Sequence, residues 1–194
     1  MPPRAGLDRA TVVRAAATLS NVGEDLTLAA LAAHLGVRTP SLYNHVDGQE
    51  GLHRELALFG VRELSARITR AAVGRSAGDA LKAVAQGYRD YAREHPGVYR
   101  YTQRAPDADD EELQVAAAEV VDVLTAVMSA FELRDDETIH AIRGLRSLLH
   151  GFVALELNGG FGLDVDQDAS FDFAVTAFVA GLEAGIWATE PSSG

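Results

Sequence analysis

Residues 27–46 constrain the fold of this chain more than any other stretch, because they predict two short helices joined by a tight turn. Apolar residues at spacings of three and four indicate the first helix, namely Leu28, Leu31 and Leu35. Gly36 then supplies the turn, and Val37 is positioned to pack between the two helices. We expect Thr39 to cap the second helix, and Pro40 suits its first turn because the missing N–H needs no partner there.

This arrangement predicts a helix-turn-helix, the unit whose second helix enters the major groove of DNA. The segment is similar to the DNA-binding module of the TetR (tetracycline-repressor-like) regulators. The matching residues are Leu-Ala-Ala-Leu-Ala at 28–32, Leu-Gly-Val at 35–37, Ser-Leu-Tyr-Asn-His-Val at 41–46, and Leu52 near the start of a long helix. Further along, Leu-Leu-His-Gly-Phe-Val-Ala-Leu-Glu at 148–156 and Gly-Gly-Phe-Gly at 159–162 resemble one C-terminal domain subtype of that family, the Leu-His-Gly-Phe type.

The resemblance covers nearly the whole chain, although in the middle it rests on helix pattern alone. It implies an all-α fold. The caps, breakers and apolar spacings along the chain predict about nine helices, and no β pattern of useful length appears in the sequence. Residues 1–52 would form a three-helix DNA-binding domain with the start of helix four, and residues 53–194 a helical ligand-binding and dimerisation domain. The implied function is that of a ligand-responsive transcriptional regulator, most often a repressor, which binds a palindromic operator as a homodimer and is released by a small-molecule effector.

The formal net charge of −11 is unusual for a DNA-binding protein, but the acid is unevenly distributed. Residues 1–75 hold nine Arg and seven acidic residues, whereas residues 76–194 hold eight basic and 21 acidic ones. An acidic C-terminal part would discourage DNA from touching the wrong face. The weakly basic N-terminal part predicts modest non-specific affinity for DNA.

The chain has no cysteine, which excludes disulfides, thiolate zinc sites and thiol catalysis and is compatible with a reducing cytoplasm. Residues 1–6 lack the apolar core segment of a signal peptide. No uninterrupted apolar run reaches the roughly 18–20 residues that a membrane helix needs. We therefore expect a cytoplasmic protein with no membrane partner.

The helix boundaries are predicted from residues that favour a helix end, either by capping it or by breaking the helix. Asp8 is a good N-cap for a first helix, which carries Val12, Ala16 and Leu19 on one face. A long fourth helix is predicted to run to about Val73, where Gly74 breaks it. The last helix is predicted over residues 169–188. The boundary between the two domains then lies within the fourth helix, which joins them mechanically.

Candidate DNA contacts are the side chains that the predicted helix-turn-helix places within reach of the phosphates or the base edges. Thr27 begins the helix that crosses the backbone and can donate its hydroxyl to phosphate. The remaining candidates lie on or just before the recognition helix: Arg38, Thr39, Ser41, Tyr43, Asn44 and His45. The resemblance implies that Tyr43 and His45 touch phosphates, and the other four are better placed for base edges. The alternative is that Ser, Thr and Asn merely cap the helix and that Tyr43 packs.

The sequence departs from the family pattern in the loop before the fourth helix. In the family, this loop often holds a Lys that binds a DNA phosphate. Here the loop reads Asp47-Gly48-Gln49 and has no cation. Backbone amides at the helix start can still bind phosphate, but Asp47 would repel it. We expect either lower affinity for DNA or compensation by Arg4 and Arg9.

Two C-terminal helices combine an apolar arc with a stripe of small residues. The arc is Ile142, Leu145, Leu148, Leu149, Phe152 and Val153, and the small residues are Gly144, Ser147, Gly151, Ala177, Gly181, Gly185 and Ala188. Since Gly costs a helix roughly 1 kcal/mol relative to Ala, several Gly on one face suggest close backbone approach. We expect a two-fold dimer in which these helices form a four-helix bundle; packing within one chain is the alternative.

An effector pocket is expected among helices five to eight. Its candidate residues are Tyr88, Tyr91, Tyr101, Met128, His150 and Phe152. Tyr and Met line adaptable apolar cavities well, although ordinary core packing is the alternative for each residue. His150 is the favoured polar group, with a structural hydrogen bond as its alternative role. A ligand would tilt the fourth helix and move the two DNA-binding domains of the dimer out of register with the DNA.

Other function classes fit the sequence less well. There is no Glu-x-x-His pair, no Gly-rich phosphate loop and no His-Glu-x-x-His motif, so we expect no enzyme, no cofactor and no metal site. A helical interaction protein, or a small-molecule binder with weakened DNA binding, stays open as the alternative function.

Overall fold

The computed structural model describes residues 7–23 and 25–186, and within these ranges the chain is helical and has no strand. The α-helices are α1 Arg9–Asn21, α2 Leu28–Leu35, α3 Gly48–Ala72, α4 Ala77–Glu94, α5 Pro96–Tyr99, α6 Glu111–Met128, α7 Asp135–Leu157 and α8 Gln167–Glu183. Three 3₁₀ segments accompany them, at Thr39–Asn44, Arg100–Gln103 and Ser129–Phe131. The prediction of an all-α chain is confirmed.

The chain forms two compact units, each built from two stretches of sequence. The N-terminal unit comprises Met1–Glu63 with His95–Ala117, and the C-terminal unit comprises Leu64–Glu94 with Ala118–Gly194. Helices α3 and α6 each contribute to both units. The predicted domain boundary after residue 52 stays a prediction.

The N-terminal unit is built around the buried face of α1. The Asp8 side chain accepts a hydrogen bond of 2.7 Å from the Thr11 amide, so the predicted N-cap is confirmed. The predicted apolar face of α1 is buried, and it packs in one core with residues from α2, the following 3₁₀ segment, α3 and α5. The buried members from these other elements include Leu31, Leu42, Leu52, Leu56 and Val98.

The short helix α5 packs its backbone directly onto the end of α1. A Cβ atom at Gly97 would lie 1.9 Å from the Ser20 carbonyl oxygen, so only glycine fits there. The Asn21 side chain fixes the same junction, because its Oδ1 accepts a 3.0 Å hydrogen bond from the Val98 amide. Its Nδ2 lies 3.3 Å from Nδ1 of His95.

The C-terminal unit packs α4 against α7 and α8. Its buried positions include Leu81, Val84, Leu145, Val153 and Phe171. The approach is close at Gly78, where an added Cβ would lie 2.7 Å from both Val179 Cγ1 and Glu183 Oε1, so these side chains would have to move to admit it. The glycine at position 78 therefore favours the close contact between α4 and α8.

The last helix differs from its predicted bounds at both ends. It begins at Gln167 because the Asp166 side chain caps it, accepting hydrogen bonds from the Asp168 and Ala169 amides. It ends at Glu183, since Gly185 adopts a left-handed φ of 63° that stops the helix. Ala188, predicted to belong to the small-residue stripe, lies outside the described residues.

Among the residues that the structure describes, one segment, Glu111–Phe131, is long and apolar enough to cross a membrane by length and composition alone, with a mean hydropathy of 1.5. It carries Glu119 and Asp122 in its middle, and carboxylates at that depth in lipid are costly. Val115 and Val121 are exposed on its surface. We interpret α6 as a helix with a partly apolar solvent face.

Candidate functional site

The helix-turn-helix is formed by α2, a glycine turn and the 3₁₀ segment Thr39–Asn44. Thr27 caps α2, its Oγ1 accepting a 3.1 Å hydrogen bond from the Ala30 amide. Gly36 adopts the left-handed φ of 66° that the turn requires, as predicted. Val37 is half-buried against the core of the N-terminal unit, which also agrees with its predicted role.

The predicted cap of the second helix is wrong. Arg38 occupies the N-cap position of the 3₁₀ segment, and no side-chain cap hydrogen bond is present. Helical backbone begins one residue earlier than expected, so Thr39 lies inside the first turn, where its hydroxyl cannot serve as the N-cap acceptor. Pro40 does occupy the first turn, as predicted.

The recognition segment buries its apolar residues and presents its polar ones. Leu42 and Val46 lie in the core. Tyr43 is 59% exposed, which argues against a packing role for its ring. Of the other candidate DNA contacts, Thr27, Arg38 and Asn44 are exposed, and Thr39, Ser41 and His45 are half-buried. All seven lie within the helix-turn-helix, and their contact with DNA stays a prediction.

The arginine that was expected to compensate for the acidic loop is already paired. Arg9 donates through Nε and Nη2 to the Glu55 carboxylate, which raises the pKa of Arg9. Asp47 is exposed beside the recognition segment, and Arg4 lies outside the described residues. A DNA phosphate could therefore bind only those N–H groups of Arg9 that the Glu55 carboxylate leaves open.

This pair belongs to a larger arginine–carboxylate network within the N-terminal unit. Arg54 donates to both carboxylate oxygens of Asp110, at 2.6 and 2.5 Å. The same Asp110 caps α6 by accepting a 3.1 Å hydrogen bond from the Leu113 amide. Arg54 holds the pKa of Asp110 below its usual range, and Glu112 lies 3.3 Å from Arg54 and 3.1 Å from Arg62. The network fixes the start of α6 to α3 and to α1.

A second polar link connects α3 to the start of α2. Gln49 Nε2 donates a 2.6 Å hydrogen bond to the Leu26 carbonyl, which immediately precedes the Thr27 cap. The same nitrogen lies 2.7 Å from Nε2 of His53. Because the amide nitrogen is the donor in both contacts, Nε2 of His53 accepts. Burial and the nearby Arg100 charge lower the pKa of His53, which agrees with a neutral, accepting imidazole.

The six predicted effector contacts do not lie in one unit. Tyr101 belongs to the N-terminal unit, where its ring lies 5.0 Å from that of His53. The other five lie in the C-terminal unit, with Tyr88, Tyr91 and Met128 buried and His150 and Phe152 half-buried. Phe152 packs against Phe161 and Phe171, with ring centroids 4.8 and 5.1 Å apart.

Sequence reasoning missed a buried arginine beside these rings. Arg89 is 1% exposed, and its guanidinium lies 4.7 Å from the Phe171 ring centroid and 5.4 Å from that of Phe152. It donates to both oxygens of Glu156, at 3.0 and 2.5 Å, and reaches Asp168 at 2.8 Å. These partners are far apart in sequence, so no local pattern could have indicated them.

Within residues 7–23 and 25–186, no group of three His, Cys, Asp or Glu side chains is arranged to hold a metal ion.

Comparisons with known proteins agree with the helix-turn-helix geometry. The family model described as tetracyclin repressor-like, C-terminal domain, matches residues 81–178. The chain is 38% identical over 182 residues to the HTH-type transcriptional regulator Rv0681 of Mycobacterium tuberculosis, covering 92% of this chain and 83% of that protein. It is 34% identical over 185 residues to the HTH-type transcriptional regulator YobS of Bacillus subtilis, covering 94% and 96%.

Solved structures share the fold. A protein from Rhodococcus sp. RHA1 superposes with a TM-score of 0.77 at 23% identity, over 94% of this chain and 99% of that one. A variant of TetR from Acinetobacter baumannii AYE, solved in complex with minocycline, gives a TM-score of 0.72 at 22% identity, over 92% and 97%. The chain therefore belongs to the TetR family and is a helix-turn-helix transcriptional regulator.

Proposed function

We propose that this regulator is a repressor that binds a palindromic DNA operator as a homodimer and is released by a small-molecule effector. The observation that carries the DNA-binding part is the helix-turn-helix, in which Leu42 and Val46 anchor the recognition segment while Tyr43 and Asn44 are exposed beside them. A surface of this kind presents polar side chains to base edges and phosphates.

The dimer proposal is supported by an uncovered apolar face on α8. Phe173 is 77% exposed, and Ala177, Ala180 and Ala184 follow it at spacings of four, three and four residues, all of them exposed. On α7, a Cβ at Gly151 would meet nothing within 4 Å. Burying such a face against a second copy would stabilise a four-helix bundle between the two chains. Such a bundle can hold the two DNA-binding domains at a separation of about one DNA turn.

The effector proposal places a small molecule beside the half-buried His150 and Phe152 and the buried tyrosines of the C-terminal unit. Release would then follow from a ligand that binds one arrangement of the helices better than the other. The proposed setting is the cytoplasm, without catalytic activity. A helical interaction protein or small-molecule binder with weakened DNA binding is the second candidate, favoured by the exposed Asp47 and the paired Arg9.

Changing Tyr43 and Asn44 together to Ala is expected to weaken specific operator binding at least about 30-fold, since each lost contact of this kind costs about 1–3 kcal/mol. The measurement is a mobility shift with DNA from upstream of the protein's own gene, or with duplexes selected from a random pool. Thr125→Ala, at an exposed position of α6, is the control and should bind as the unchanged protein does. The absence of any specific complex at low salt would favour the second candidate function.

Phe173→Asp is expected to weaken the dimer at least about 100-fold, because a charge would replace a ring buried in the proposed interface. Sedimentation equilibrium measures this directly. Val22→Asp is the matched control, since Val22 is 67% exposed on the N-terminal unit and lies outside the proposed interface. A Phe173→Asp protein that stays dimeric would place the interface elsewhere.

A further inference from the structure

The N-terminal unit contains a cleft that is separate from the effector region proposed above. It has a volume of about 660 Å³, within the range of about 300–1,000 Å³ that small-molecule sites occupy. The first turns of α3 line one side, and residues 100–113 line the other. The five effector candidates of the C-terminal unit do not contribute to it.

The aromatic wall of the cleft already holds a planar cation. The Arg100 guanidinium lies 5.0 Å from the centroid of the Tyr101 ring, and its Nη2 donates a 3.1 Å hydrogen bond to the Tyr101 hydroxyl. Arg100 is exposed, so a ligand could take its place over the ring without disturbing the core. A flat, weakly hydrated cation such as a guanidinium can stack on an aromatic ring and be attracted to its face.

The charge of the cleft favours a positively charged occupant. Three arginines and six carboxylates line it. Arg54 is neutralised by Asp110, and Arg104 by Asp107, which lies 3.4 Å away. The third arginine, Arg100, is the one that lies over the Tyr101 ring. By contrast, Glu50, Asp109 and Glu111 also line the cleft and form no side-chain hydrogen bond or ion pair with any described residue. His53, whose pKa is lowered, adds no positive charge near neutral pH.

We propose that this cleft binds a planar organic cation, an aromatic ring that carries an amidinium-like group, with the flat cation over Tyr101 and the positive charge facing Glu50, Asp109 and Glu111. The proposal does not depend on DNA binding, because it concerns a ligand site within the N-terminal unit. It adds a second small-molecule site beside the reading module.

Three probes that share one ring test the charge preference. Benzamidine is the cation, benzamide is its neutral counterpart and benzoate is the anion. Ligand-observed NMR titrations against the full-length protein should show binding of benzamidine and at least about fivefold weaker binding of the other two, as expected for several partly exposed charge pairs. Equal binding of benzoate, or no binding of benzamidine, would overturn the proposal.

Two triple variants locate the site. E50Q/D109N/E111Q removes the three open carboxylates and is expected to weaken benzamidine binding at least about fivefold. E63Q/E119Q/D122N removes the same charge from three exposed positions outside the cleft and should leave binding within about twofold. An equal loss in both variants would mean that the cation responds only to the net charge, which contradicts a built site. Tyr101→Leu should also weaken binding, and circular dichroism checks that each variant is folded.

Discussion

Gly97→Ala is expected to lower the free energy of unfolding by at least about 3 kcal/mol, as forced overpacking against backbone does at its upper range. The new methyl group would lie 1.9 Å from the Ser20 carbonyl oxygen and 2.1 Å from its carbon. Neither atom belongs to a flexible side chain, so α5 would have to move away from α1. That movement would also break the hydrogen bond from the Val98 amide to Asn21.

Urea unfolding followed by circular dichroism measures this effect, and Gly87→Ala is the matched control. Gly87 lies in α4, where a new Cβ would make an ordinary 3.4 Å contact with the Ala71 methyl group. Because Ala is the better helix former by about 1 kcal/mol, Gly87→Ala should be neutral or stabilising. If Gly97→Ala unfolds at the same urea concentration as the unchanged protein, the close approach of α5 to α1 is not a requirement of the fold.

Arg89→Met should cost about 3–5 kcal/mol of unfolding free energy, the usual consequence of removing one partner of a buried ion pair. Arg89 is almost fully buried, and the Glu156 side chain that it holds is only 11% exposed. The substitution leaves Glu156 without its bidentate partner. It also removes the contacts of the guanidinium with the rings of Phe152 and Phe171.

The control for this change lies one helical turn further along α4. Arg93 approaches the same carboxylates, at 4.0 Å from Glu156 and 3.6 Å from Asp168, but its side chain is 48% exposed. Arg93→Met should therefore cost less than about 1 kcal/mol. The double variant R89M/E156L should recover at least about 1 kcal/mol relative to Arg89→Met, because the stranded carboxylate is removed with its partner. Equal losses for the two single arginine variants would contradict the role given to Arg89.

The features that could be predicted from the sequence depend on neighbours along the chain. Asp8 caps α1, Gly36 makes the turn, and Leu42 and Val46 are buried, because a cap, a left-handed residue and a helical face are all local properties. The misplaced cap at Thr39 also reflects local rules: the helical backbone begins one residue earlier than the side-chain preference of Thr indicates.

The features that escaped prediction depend on contacts between distant residues. Arg89 and Glu156 are separated by 67 positions, and nothing near either residue marks them as partners. The requirement for glycine at position 97 likewise depends on the backbone of α1, which no sequence neighbour of Gly97 indicates. Tyr101 was grouped with the effector residues because of its residue type, but the fold places it beside His53 in the N-terminal unit.

The N-terminal unit is built from two separate stretches of sequence, and this matters for exchanging DNA-binding domains between related regulators. A fragment that ends at residue 52 would lack Val98, which is 1% exposed in the same core as α1 and the recognition segment. A functional chimera therefore needs three junctions rather than one: the first within α3, the second between α4 and α5, and the third within α6. A donor module would have to bring its own counterpart of residues 95–117, so DNA specificity in this protein is not transplantable as a single N-terminal piece.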